Sequence, residues 1–146
     1  MKNDQYHLLE QDIKDISWGN ADSDWTPPQT LPDLSQYDTI SIDLETRDEN
    51  LTKLGPGWCR KDGHIIGIAV AAGDSAWYFP IAHTVGNMPR KVVMKWLGDI
   101  CKDTTKTVVF HNALYDLGWL RAEGVEVKGK IRDTMVVAPL LDENRR

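Results

Sequence analysis

The stretch TISIDLETRDEN, residues 39 to 50, constrains this chain more than any other. Its β-branched alternation reads as a strand with Ile40 and Ile42 on one face, and Asp43 and Glu45 follow two positions apart where the apolar run ends. Strand residues two apart point to the same side and lie roughly 6.5 to 7 Å apart at the backbone, so two acidic side chains can converge on one or two cations. The same spacing also fits a strand end that emerges into solvent.

The chain after Tyr37 continues as alternating elements. A charged connection, TRDENLTKLGPGWCRKDG, leads to HIIGIAVAA and SAWYFPIA, two apolar runs separated by Gly-Asp turn chemistry, which predict a β-hairpin. Pro89 suits a first helical turn, and Val92, Val93, Trp96, Leu97 and Ile100 give the helix after it an apolar stripe. KTVVFH predicts a short strand. NALYDLGWLRAEG predicts a helix, with Asn112 as N-cap and Gly124 as stop. VEVKGKI reads as extended, and DTMVVAPLLDE as a last helix opened by Asp133 and disturbed by Pro139. The order β, β-hairpin, α, β, α, β, α implies an α/β fold, a mixed sheet with helices packed on it.

Residues 1–36 differ in texture. They hold two Lys against seven acids and the Pro- and turn-rich SWGNADSDWTPPQTLPDLS, which predicts a weakly structured polar leader adding at most a docked Trp or Leu to the core; LLEQDIKDI could form two helical turns. Residues 37–146 carry fifteen charges of each sign, so bulk charge does not suit the body to gripping duplex nucleic acid. With 146 residues and 41% hydrophobic content, one domain is expected. Cys59 and Cys101 fit no metal or redox spacing. No apolar run approaches the roughly 18 residues of a spanning helix, and the start is too polar for a signal peptide, so a soluble cytoplasmic protein without membrane contact is expected.

A third acid, Asp116, falls four residues after Asn112 on a helix whose Leu114, Leu117 and Leu120 are expected to face the sheet. It could equally be an acid favoured by a helix N-terminus. If Asp43, Glu45 and Asp116 converge, they need a counterion: two unit charges about 4 Å apart repel by roughly 1 kcal/mol in water and about 4 kcal/mol in a protein cleft. Oxygen-only ligands select hard ions, Mg²⁺ or Mn²⁺. Of the other polar candidates, His83 and His111 read as packed or loop histidines. Arg47, Lys53, Arg60 and Lys61 could steer a nucleic-acid strand or line a solvated loop. Trp58 could stack on a base, whereas Trp77 fits hairpin packing.

DLET at a strand end, FHNALYDLGWL some seventy residues later and DTMVVAPLLDENRR after that together resemble the 3′ to 5′ exonuclease (proofreading) domain of phage-type family A DNA polymerases, in the DEDD superfamily. The resemblance covers Tyr37 to the last residue. It implies a ribonuclease H-like fold and hydrolysis of 3′-terminal nucleotides from a single-stranded DNA 3′ end with two divalent cations, Mg²⁺ or Mn²⁺. By the family's pattern Asp43 would bridge both metals, Glu45 would bind the metal carrying the attacking water, and Asp116 would hold the second. Thr46 and Asn112 match positions that contact the terminal nucleotide, and Leu51 and Leu54 are candidates for an apolar wedge against its base. Ribonuclease D-like exoribonucleases are relatives that would take RNA instead.

The chain departs from the pattern in one respect. A complete site has a fourth acid on a Tyr-x-x-x-Asp or His-x-x-x-Asp helix, and neither spacing occurs in these 146 residues. The expectation is a partial exonuclease domain over 37–146, weakly active or inactive alone, that a polymerase domain or a downstream segment would complete. A catalytically inactive remnant binding nucleic acid or a polymerase is the alternative.

Overall fold

A computed structural model describes residues 25–142. The LLEQDIKDI segment and the final ENRR, which includes the last residue expected in the C-terminal helix, lie outside them. The strands are β1 (Thr39–Arg47), β2 (His64–Ala72), β3 (Ser75–Pro80), β4 (Thr107–Phe110) and β5 (Lys130–Asp133). They form a five-stranded sheet in the order β3-β2-β1-β4-β5. β1 is its centre, antiparallel to β2 and parallel to β4, and β5 extends the parallel side. The helices are α1 (Leu51–Leu54), α2 (Gly57–Arg60), α3 (Arg90–Cys101), α4 (Ala113–Ala122) and α5 (Thr134–Leu141). This is a mixed α/β sheet of the ribonuclease H-like kind, in the element order the sequence predicts. The differences are α1 and α2, four residues each in a segment expected to be a connection; their Gly and Pro content hides single helical turns.

Alternation along the strands divides the sheet into unlike faces. Ile40, Ile42, Leu44, Ile68, Val70, Phe79, Val108 and Phe110 are buried. With Val93, Trp96 and Leu97 of α3 and Trp119 and Leu120 of α4 they make one core. The opposite face carries Ser41, Asp43 and Glu45, all exposed, and small neighbours at Ala69, Ala71 and Ala76. A groove of about 410 Å³ runs over it, lined in part by Ser41, Asp43, Ala71, Val109, His111 and Thr134. α5 buries none of its residues; Met135, Val136, Val137, Leu140 and Leu141 are 41 to 83% exposed.

Residues 25–36 pack on the body. Leu34 is in the core, Leu31 lies against it, and the Pro32 carbonyl accepts from the Trp96 indole. Lys106, itself buried, donates through Nζ to the carbonyls of Leu34 (3.0 Å) and Tyr37 (2.7 Å), which fixes this segment beside the start of β1. Replacing Lys106 with Met keeps the aliphatic stem and removes both bonds. The expected loss is about 2 kcal/mol in denaturant unfolding, with faster amide exchange at Leu34 and Tyr37; an unchanged midpoint would contradict the anchoring role.

Candidate active site at the end of the central strand

β1 leaves its partners in stages, and the acids sit where it does so. Its parallel pairing with β4 runs only from Thr39 to Ser41. Its antiparallel pairing with β2 continues to Arg47 but slips between Glu45 and Thr46, where the register passes from Gly67 to Ile65. Irregularities of this kind bend a strand and re-aim the side chains next to them. Asp43 and Glu45 project from the exposed face just before the slip.

The β1 edge toward β4 is thus without a strand partner at Leu44, and α4 supplies one. Asp116 Oδ1 accepts from the Leu44 N–H at 3.1 Å, which seats the α4 carboxylate on the backbone between Asp43 and Glu45. Asp116 is 3% exposed. Burial pushes its carboxyl up to about 6; the Leu44 N–H acts the other way, and the charges of Asp43 and, less, Asp133 add to the rise. Asp116 is thus bound to the backbone between Asp43 and Glu45, and the Asp43 charge reaches it. The three acids do not form a closed cage: among the described residues no three His, Cys, Asp or Glu side chains stand as a metal-holding group. The groove over the sheet includes Asp43 but neither Glu45 nor Asp116.

The loop after β1 is braced onto α4 beside these acids. Thr46 Oγ1 and Tyr115 Oη share a hydrogen bond of 2.7 Å, and Tyr115 also donates to Asp48 (3.3 Å). The Asp48 side chain, 2% exposed, accepts from Gly57 N and Arg60 as well. Arg60 further bonds Asp62 and the carbonyls of Leu54 and Gly55, so it holds the loop and is not available to steer a ligand; Arg47 pairs with Glu49. Trp58 packs across Gly118 of α4, where an added Cβ would lie 2.3 Å from its ring. Trp77 packs against the core. Leu51 and Leu54 lie exposed on α1.

Asn112 departs from expectation. It occupies the position before α4, but with φ 75° and no side-chain cap. A left-handed backbone there is one that Asn tolerates better than most residues. The cap comes from β5: Asp133 accepts from Asn112 N (3.1 Å) and Ala113 N (2.8 Å), and also from Met135 N at the start of α5. Burial pushes the Asp133 carboxyl up, and the backbone donors Ala113, Asn112, Met135 and Val136 outweigh it and hold the group below the usual range. This fourth acid near the site serves two helix ends. Its α5 role is visible in the sequence; its α4 role depends on β4 and β5 pairing, which no local pattern reports. His111, at the end of β4, is exposed, shares a hydrogen bond with Thr134 and lines the groove with Asp43. Lys130 and Arg132, both exposed, project from the same sheet face, because Val109 pairs with Ser41 on one side and Arg132 on the other.

No family model matches the chain. Over 128 residues it is 38% identical to a DNA-directed DNA polymerase of Pseudomonas phage M6, a match that takes in 83% of this chain and 19% of the polymerase. Among solved structures it is similar to NrnC of Brucella melitensis with bound Mg²⁺, at TM-score 0.54 and 24% identity over 80% of this chain and 52% of NrnC. NrnC bound to pGG gives 0.52 and 25% over the same shares. The chain thus spans about a fifth of the phage polymerase and about half of NrnC. It is related in sequence to a segment of a phage DNA polymerase and shares the α/β fold of NrnC. Among the described residues no helix is long and apolar enough to cross a membrane.

The buried Asp116 charge has a measurable cost. A carboxyl raised in the folded state contributes stability below its unfolded pKa, and that contribution is lost as pH rises through about 6. Asp116→Asn keeps an acceptor for Leu44 and removes the charge. In metal-free buffer the variant is expected to unfold with about 2 kcal/mol more stability than wild type at pH 8, and with no advantage below about pH 4. A difference that is flat with pH would contradict this placement of Asp116.

Proposed function

We propose that residues 37–146 are the front part of a 3′ to 5′ exonuclease domain of a DNA polymerase, of the DEDD type found in phage family A enzymes, which removes terminal nucleotides from a single-stranded DNA 3′ end. The observation that carries this reading is the Asp116 carboxylate bound to the backbone between Asp43 and Glu45. Relatedness to a phage polymerase and the fold shared with NrnC, solved with Mg²⁺ and with pGG, support it.

The donors are all oxygens, which suits two hard divalent cations, Mg²⁺ or Mn²⁺, held by Asp43, Glu45 and Asp116. Such ions would lower the pKa of an attacking water and neutralise the leaving oxygen. The chain's own contribution is to hold Asp43 and Glu45 at the end of a bulged strand, with Thr46 fixed by Tyr115; Thr46 and Asn112, at the head of α4, would contact the terminal nucleotide. Lys130, Arg132 and His111 put positive or polar groups on the same sheet face, where a phosphate backbone would lie.

The partner that fits is a downstream segment or the polymerase domain. Parallel strands are ordinarily covered on both faces, and here the face bearing Ser41, Asp43 and Val109, together with the apolar residues of α5, has no cover among the described residues. A second reading is a non-catalytic module that binds a DNA end or a polymerase; among the described residues no three His, Cys, Asp or Glu side chains stand as a metal-holding group.

The deciding assay follows a 3′-labelled single strand with Mg²⁺ or Mn²⁺, using this chain and a version extended through the downstream segment. The extended version is expected to shorten DNA stepwise from the 3′ end in preference to RNA, and Asp43→Ala to lower the rate on the order of 100-fold or more. An extended protein that binds the strand without cutting it supports the second reading. Preference for RNA would move the chain to the ribonuclease D-like relatives.

A further inference from the structure

The open face of the sheet divides into a charged half and an apolar half, with the acids of β1 between them. On one side Ser41 pairs with Val109 and Val109 with Arg132, which puts Arg132, and Lys130 two residues before it, on this face. Both are exposed, and neither pairs with an acid among the described residues. On the other side Asp43 pairs with Ala69 and Ala69 with Tyr78, while Ser41 leads through Ala71 to Ala76. Neighbouring strands lie about 4.8 Å apart, so the cations and the tyrosine each stand two strands, roughly 10 Å, from β1. A nucleotide laid over β1 has its phosphate and its base on opposite sides of its sugar, and each suits a different half of this face.

The apolar half ends in an aromatic pair held from behind. The Tyr78 ring lies over Gly67, where an added Cβ would come within 1.8 Å of Oη. Its hydroxyl shares a hydrogen bond of 2.6 Å with His83 Nε2, and the Asn87 side chain accepts from His83 N and donates to His83 O. Against this fixed ring lies Trp25, with centroids 5.8 Å apart and planes at 55°. Trp25 is 40% exposed. Beside the pair, Ala69, Ala71 and Ala76 rise little above the backbone, and the groove of about 410 Å³ opens over them. Their side chains offer no hydrogen-bonding group, so this floor suits the flat ring of a base without choosing among bases. Aromatic side chains bind single strands in the same sequence-tolerant way, by stacking.

We propose that Trp25 and Tyr78 form a base-binding subsite: a single-stranded DNA end lies over β1 with its phosphates toward Arg132 and Lys130 and its bases over the alanines of β2, stacked against the Trp25 ring that Tyr78 supports. The ligand's identity rests on the exonuclease reading; the division of the face rests on the strand register. Charge and shape fix the orientation together. Phosphates over the alanines would forgo both cations, and bases over β5 would forgo the aromatic pair.

The test compares the binding of two labelled single strands of equal length to the full 146-residue chain, in metal-free buffer and again with Mg²⁺. One strand is an oligothymidylate and the other carries abasic sites in place of the bases. Wild type is expected to hold the oligothymidylate more tightly. Trp25→Ala is expected to weaken that strand about fivefold or more and to change the abasic strand by less than about twofold. Ala71→Leu, which fills the floor and keeps both aromatic residues, is expected to give the same selective loss. Lys130→Ala combined with Arg132→Ala is expected to weaken both strands and to lower the salt slope by about 1.4, from roughly 0.7 for each phosphate contact. A Trp25→Ala effect that is equal on both strands, as it would be if the indole only anchored its own segment, overturns the proposal, and so does no effect on either. An unaltered salt slope in the double variant overturns the phosphate side of the orientation. Wild type that binds both strands equally overturns the base subsite and leaves the exonuclease reading standing; wild type that binds neither strand under either condition overturns both.

Discussion

One backbone hydrogen bond organises the site. The central strand runs past the end of its parallel neighbour, and the N–H of Leu44 would be left without a strand partner at the sheet's interior edge; the Asp116 carboxylate takes it at 3.1 Å. Burying an unpaired amide costs free energy, and so does burying a carboxylate. Here each lowers the other's cost, and the result is a third acid between two that the strand already displays. The residual strain is electrostatic, visible in a carboxyl raised to about 6 by burial and by Asp43. Under the proposed function, a divalent cation held by these acids would relieve that strain.

Around this bond the fold spends its polar groups on rigidity. Asp48 gathers Gly57, Arg60 and Tyr115, and Tyr115 reaches Thr46, so the loop after β1 and the first turn of α4 move together. Asp133 closes the start of both α4 and α5 from the neighbouring strand. On the antiparallel side Tyr78 covers Gly67 and shares a hydrogen bond with His83. Carboxylates meant to act together need such support, because small errors in their placement weaken everything they bind. What the described residues leave unbuilt is a cover for the open sheet face and for α5.

Much of this was legible in the sequence, for identifiable reasons. Period-two alternation in residues 39–47 and 64–72 and the apolar stripe of residues 90–101 are local signals, and the strands and α3 follow them closely. Asp43 and Glu45 stand out because strand parity alone puts them on one face. Spacing and resemblance point to Asp116, but its backbone bond depends on where β4 stops pairing, a long-range fact. The same holds for Asp133 taking the cap expected of Asn112, and for Arg60, which reads as a free basic residue and is consumed by four loop partners.

The most direct test is the amide resonance of Leu44 followed by NMR from pH 4 to 8 in metal-free buffer. The bond to Asp116 predicts a shift that titrates with a midpoint near 6 and becomes flat in Asp116→Asn. A Leu44 amide that ignores pH in wild type, or that is unaltered by the substitution, would contradict the placement of Asp116 and with it the gathering of the three acids.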